Sequence, residues 1–289
     1  MARELGQLID NCSIEVPARQ SAAAEECRAG LPPGMLVHIS LIAGDDYHGL
    51  LNTAAQLRKD GFQPVPHLPA RSMMSYTQLE DYVTRAAGCG VERLLVIGGD
   101  LDQQQGPFAG AGDVLATGLL AKHGIRGVDL AAYPEGNARL APLDTEKLLD
   151  EKLAMARAQG LDPAITTQFG FEAAPILSWL RALRMRGEQA PVRLGLAGPA
   201  NIVTLLKYGV RCGIGGSLRA LHAQPDSLNR QLGQGDPVQL LTTLAAGWPA
   251  GLDQDRVTLH VYAFGGIRRT AAWLTALRGG SGSALAQAR

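Results

Sequence analysis

The sequence predicts a (β/α)8 barrel in a single domain. Eight short apolar segments alternate with helix-like segments over about 270 residues, and no linker or internal repeat divides them. A doubly wound open sheet is the runner-up. It usually uses about five to seven strands, and no G-x-G-x-x-G follows the first apolar segment here.

The first strand is Cys12-Ser13-Ile14-Glu15-Val16-Pro17, broken by its proline and followed by an Ala-rich helix over Ser21–Ala29. The turn Leu31-Pro32-Pro33-Gly34 leads into strand two, Met35–Leu41, and helix Tyr47–Asp60. Strand three, Gln63–Leu68, stops at Pro69 and precedes helix Tyr76–Gly88. Strand four is Arg93–Gly99, an apolar run ending in two glycines before Asp100. The glycine-rich segment Gly106–Gly112 then feeds a helix over Asp113–His123. Strand five, Arg126–Tyr133, is closed by Pro134, and Asp144 can cap a helix to Gln159 that Gly160 ends. Ala164–Phe169, Val192–Ala197 and Val257–Phe264 complete the strands, with helices over Ala173–Arg186, Ile202–Tyr208 and Arg268–Leu277. Extra helices are expected between strands seven and eight, from Ser217 to Trp248. The barrel thus takes residues 1–278, and the Gly/Ser-rich residues 279–289 read as a flexible tail.

Composition narrows the function classes. Lys plus Arg equal Asp plus Glu at 27 each, so no basic surface points to nucleic acid. Aromatics at 5% argue against a base-stacking surface. Cys12, Cys27, Cys89 and Cys212 lie far apart with no C-x-x-C pair, so neither a zinc site nor a disulfide framework is expected. The N-terminus lacks a signal-peptide apolar region, and uncharged runs such as Leu194–Leu206 are too short to span a bilayer. A cytoplasmic protein without nucleic-acid or membrane partners is expected.

In a barrel of this kind, chemistry gathers at the carboxyl ends of strands. Those ends offer Glu15, Ser40, His67, Asp100, Tyr133, Gln168 and His260-Val261-Tyr262. Each also has a plainer role: a strand-end carboxylate or amide can bond loop backbone, and a histidine can be a satisfied core residue. Lys152 projects among Leu148, Leu149, Leu153 and Ala156, either snorkelling along that stripe or reaching an anion at the rim. Gly106–Gly112 is either a flexible connection or a cradle of N–H groups for phosphate.

Thr166-Thr167-Gln168 and the following Phe169–Leu180 resemble the T-Q-F segment of methylenetetrahydrofolate reductases. Pro66-His67-Leu68, Gly99-Asp100, Ala131-Ala132-Tyr133-Pro134-Glu135 and His260-Val261-Tyr262 match further motifs of that family in the same order, and Glu15 stands at its first-strand acid. The resemblance covers residues 12 to 275 and implies a (β/α)8 barrel. It also implies reduction of 5,10-methylenetetrahydrofolate to 5-methyltetrahydrofolate in one-carbon and methionine metabolism, with NAD(P)H and usually FAD. By this resemblance Glu15 is the general acid at N10, needing a raised pKa. Asp100 stabilises the iminium cation and anchors the pterin, Gln168 reads the pterin edge, and Phe171 and Tyr262 contact substrate. Ser40, His67, Gly99, Tyr133, Asn137 and Lys152 fall at or near flavin-contact positions, and no metal is implied.

The chain departs from that pattern in three places. Gly98 replaces a common flavin-binding arginine, Asn137 stands where a histidine is common, and Tyr262-Ala263-Phe264 replaces an Asn-Arg ending. Flavin dependence is thereby left open, with direct hydride transfer from nicotinamide as the other route. A tetrahydrofolate-linked methyltransferase or demethylase, a non-catalytic folate-binding protein and a homo-oligomer also stay open.

Overall fold

The computed structural model describes residues 6, 8–18, 22–41, 46–140, 143–214, 237–248 and 256–279. Eight strands pair in sequence order as a closed barrel. They are β1 Ser13–Pro17, β2 Leu36–Ser40, β3 Gln63–Pro69, β4 Arg93–Ile97, β5 Gly127–Ala132, β6 Asp162–Thr167, β7 Val192–Ala197 and β8 Val257–Tyr262. Helices among the described residues are α1 Ala23–Gly30, α2 Tyr47–Lys59, α3 Tyr76–Gly88, α4 Ala111–Ala116 and α5 Leu119–Lys122. They continue with α6 Thr145–Ala158, α7 Ala173–Met185, α8 Ile202–Arg211, α9 Val238–Ala246 and α10 Ile267–Arg278. The architecture is the (β/α)8 barrel that the alternation of segments predicts.

The chain divides into two compact units. The first comprises Ser13–Ala131 and Glu146–Thr166. Its parallel register sets Glu15 opposite His38, His38 opposite Val65, His67 opposite Leu95, and Leu95 opposite Asp129. Val37, Ile39, Leu94, Val96, Val128 and Leu130 are fully buried on these strands. Each such side chain stabilises the fold by about 1.5–3 kcal/mol relative to exposure. Helix α2 buries Leu50, Ala54 and Leu57 at helical spacing, and α3 buries Leu79, Tyr82, Val83 and Ala86. Their N-termini are capped by Asp46, which accepts from the His48 N–H, and Ser75, which accepts from the Gln78 N–H.

The second unit comprises Met1–Cys12, Ala132–Thr145 and Thr167–Arg289. Strands β7 and β8 align from Val192 opposite Val257 to Ala197 opposite Tyr262. Helix α7 buries Ile176, Leu177, Leu180 and Leu183, and α10 buries Ile267, Ala271 and Leu274. Asn201 caps α8 by accepting from the Thr204 N–H at 2.8 Å.

Several boundaries differ from the sequence reading. Strand β4 stops at Ile97, because Gly99 turns to φ +93°, where a Cβ would stand 3.0 Å from Cβ of Pro69. The single helix expected over Asp113–His123 is two, divided at Gly118 with φ +68°. Strand β6 begins at Asp162, ahead of Pro163, rather than at Ala164. The helices expected over Ser217–Trp248 fall largely outside the described residues, as does the tail beyond Gly279; Val238–Ala246 is helical. Among the described residues no helix is long and apolar enough to cross a membrane.

Candidate functional site

In the first unit, β1 and β3 bring Glu15 and His67 together. Oε2 of Glu15 lies 3.3 Å from Nε2 of His67, with side chains 14% and 8% exposed. That nitrogen is buried and makes no hydrogen bond, so the approach is close without being aligned. Two contacts fix the histidine. The Tyr82 hydroxyl donates to its backbone carbonyl at 2.8 Å, and its ring stands edge-on to His38 with centroids 6.5 Å apart.

Behind this pair is a polar network that the sequence reading did not single out. Asp129, fully buried on β5, meets Nε2 of His38 at 2.9 Å and accepts from the Thr166 hydroxyl at 2.9 Å, both through Oδ2. Its Oδ1 accepts from Nη1 of Arg93 at 2.9 Å. Arg93 extends to the carboxylate of Asp162 and donates to its backbone carbonyl. The same arginine lines a cleft of about 230 Å³ with Arg58, Glu92, Arg126 and Asp162. There Arg58 is paired with Glu92 at 2.6 Å.

Other expected site residues of this unit have local tasks. The Ser40 hydroxyl donates to the carbonyl of Val16 at 3.3 Å. Asp100 is exposed on the turn after Gly99. A Cβ on Gly98 would meet open space, so packing makes no demand for glycine there. The glycine-rich loop is not a free anion cradle. The Asp113 carboxylate already accepts from the N–H groups of Ala109 and Gly110, at 2.7 and 3.1 Å. Arg71 pins the same loop through the carbonyls of Ala109 and Leu101.

Lys152 lies on the face of α6 that buries Leu149, Leu153 and Ala156. No described residue gives it a hydrogen bond or ion pair. Burial lowers its pKa from 10.5 to about 8. The folded chain therefore holds this proton less readily than the unfolded chain. Stability should rise as pH climbs from 8 towards 10.5, with the full cost present below 8. Lys152→Met should remove that rise and stabilise the protein at pH 7 by at most about 3 kcal/mol. Urea midpoints for both proteins at pH 7 and pH 10 provide the check, and equal stability at pH 7 would mean that the ammonium is solvated.

In the second unit, Tyr133 and Gln168 line one cavity of about 10 Å³, room for a single water. Gln168, just past β6, donates through Nε2 to the carbonyl of Cys212 at 2.7 Å. Asn137 donates to the same carbonyl at 3.3 Å, while its Oδ1 accepts from the Arg139 N–H. Oε1 of Glu135 accepts from the N–H groups of Phe171 and Glu172 at 2.7 and 2.9 Å, fixing the entry to α7. The Tyr262 hydroxyl donates to the carbonyl of Thr167 at 3.0 Å.

Five of the chain's fourteen aromatic residues cluster here. The Phe169 ring is edge-on to Phe171, Tyr262 and Phe264, and Tyr208 stacks on Phe264 with centroids 4.1 Å apart. Phe171 and Tyr262 are thus half-buried members of a packed cluster. Among the described residues no group of His, Cys, Asp and Glu could hold a metal ion.

No family model matches the chain. Among solved structures, the dihydropteroate synthase of Thermus thermophilus, in complex with 6HMPPP, is 15% identical. The match covers 94% of each chain with a TM-score of 0.46. A 2,3-dimethylmalate lyase, a PEP mutase/isocitrate lyase superfamily member, is 12% identical over 85% of this chain and 94% of that one, with a TM-score of 0.44. Likeness at this distance says nothing of a shared reaction.

Proposed function

We propose that the protein is an oxidoreductase resembling methylenetetrahydrofolate reductases, converting 5,10-methylenetetrahydrofolate to 5-methyltetrahydrofolate with NAD(P)H. The observation that carries this reading is the largely buried Glu15 carboxyl, held against His67. The five-membered ring of the substrate opens to a 5-iminium cation when N10 receives a proton, and Glu15 is the group to supply it. Hydride from the nicotinamide then adds to the methylene carbon, leaving the methyl product, NAD(P)⁺ and ionised Glu15. Asp100 favours the cation as a nearby anion.

The residues assigned to flavin by resemblance form a poor set for that cofactor. Ser40 and Asn137 spend their hydrogen bonds within the protein, Tyr133 lines a space of one water, and position 98 carries no side chain. The reading therefore passes the hydride directly from nicotinamide to substrate.

Purified protein should oxidise NADH or NADPH when methylenetetrahydrofolate is present and not otherwise, forming 5-methyltetrahydrofolate mole for mole. Its visible spectrum should stay colourless after incubation with FAD and removal of the unbound flavin. Methyl transfer without nicotinamide consumption would replace this reading with a folate-linked methyltransferase. Folate binding without turnover would leave a binding protein, and a bound yellow chromophore would restore a flavin step.

A further inference from the structure

We propose that the arginine-lined cleft at the amino ends of β2 to β6 binds a phosphoryl group, with Arg126 and Arg58 as its ligands. The first residues of these five consecutive strands line the cleft together with Arg58, Glu92 and Arg126. Barrels of this kind run their chemistry at the opposite, carboxyl ends of the strands, so a ligand held here is not a reactant. At about 230 Å³ the cleft is smaller than the 300–1,000 Å³ that drug-sized ligands need, and it suits a small anion.

Two backbone positions are kept bare beside its arginines. A Cβ on Gly127 would collide with the guanidinium of Arg93. One on Gly90, where φ is +78°, would stand 3.3 Å from Cγ of Arg58.

The three guanidinium groups are unequally committed. Arg93 is fixed by Asp129 at 2.9 Å and by the Asp162 carboxylate, which spends its Oδ2 there. Arg58 donates to Oε1 of Glu92 at 2.6 Å. Arg126 is 81% exposed, and its Nη1 only approaches Oε2 of that same carboxylate, at 4.0 Å. That distance is too long for a hydrogen bond. Two guanidinium forks thus share one half-exposed carboxylate, which marks where an oxyanion sits between them. A phosphoryl group carries up to two negative charges and three acceptor oxygens. It can take a bidentate pair from Arg126 and a further bond from Arg58 while Glu92 turns out to solvent.

Binding here needs no turnover, so it stands or falls apart from the reductase reading. Isothermal titration at matched ionic strength, above the second pKa of the phosphate, reads inorganic phosphate against glycerol phosphate, with sodium chloride as the blank. The wild-type protein should bind at least one of them saturably, and the tighter of the two tells free phosphate from a phosphate ester as the ligand. Arg126→Ala should weaken binding about tenfold or more, the loss of hydrogen bonds to a charged group. Arg126→Lys, which keeps the charge without the fork, should weaken it less. Glu92→Gln frees both forks and should tighten it. Arg85→Ala removes an equal charge from the exposed face of α3, outside the cleft, and should leave binding unchanged. Absence of saturable binding by the wild-type protein overturns the site. So does Arg126→Ala that binds like wild type, Arg85→Ala that weakens binding as much, or Glu92→Gln that binds no tighter.

Discussion

Asp129→Ala should cost about 3–5 kcal/mol of folding stability, the range for breaking a buried ion pair by removing one partner. The carboxylate is fully buried and answers three donors, His38, Thr166 and Arg93. Without it, the Thr166 hydroxyl and the His38 ring lose a partner inside the first unit. Arg93 keeps Asp162, whose side chain is 70% exposed, so part of its charge stays solvated and the loss should fall near the lower end. Asp129→Asn keeps the shape and two of the contacts, and should cost less than the alanine change. Urea unfolding of both variants reads the difference. A loss under about 1 kcal/mol for the alanine variant would place the network among ion pairs that merely break even.

Glu15→Gln should lower kcat for folate-dependent NAD(P)H oxidation by about 10²–10⁴-fold, the usual contribution of a positioned proton donor. The amide matches the carboxyl in size but cannot surrender a proton to N10. Folate affinity should stay close to wild type, since the amide keeps the size and polarity of the carboxyl. Glu15→Asp keeps the acid on a shorter stem and should retain part of the rate. Turnover that survives the glutamine change would remove Glu15 from the acid role.

The strands were legible because most are short, largely apolar runs stopped by Gly, Pro or a polar residue. The site was legible one residue at a time. Glu15 and His67 each read as strand-end polar groups, but their pairing depends on β1–β2–β3 register, which spacing alone does not give. His38 and Asp129 escaped notice for a physical reason. In a parallel barrel both faces of a strand are covered, so no alternation tells which polar residue points inward. The available signal was a charged or titratable residue amid apolar neighbours, as in Val37-His38-Ile39 and Val128-Asp129-Leu130.

Gln168 and Asn137 carry ligand roles by resemblance alone, and local spacing could not reveal their shared partner, the Cys212 carbonyl, which lies 44 and 75 residues away. Gly110-Ala111-Gly112-Asp113 carries a local signal of its own. An acid three residues after a helix's N-terminal cap commonly turns back to bond the N–H groups there, as Asp113 does.

Strand closure also bears on how this protein can meet copies of itself. A sheet that returns to its own first strand has no open row of N–H and C=O groups, so among the described residues the barrel presents no edge to which another chain could add a strand. Strand addition to this sheet therefore requires the barrel to open first. Loss of one strand would expose two backbone edges at once, and aggregation should begin from such opened species rather than from the folded surface.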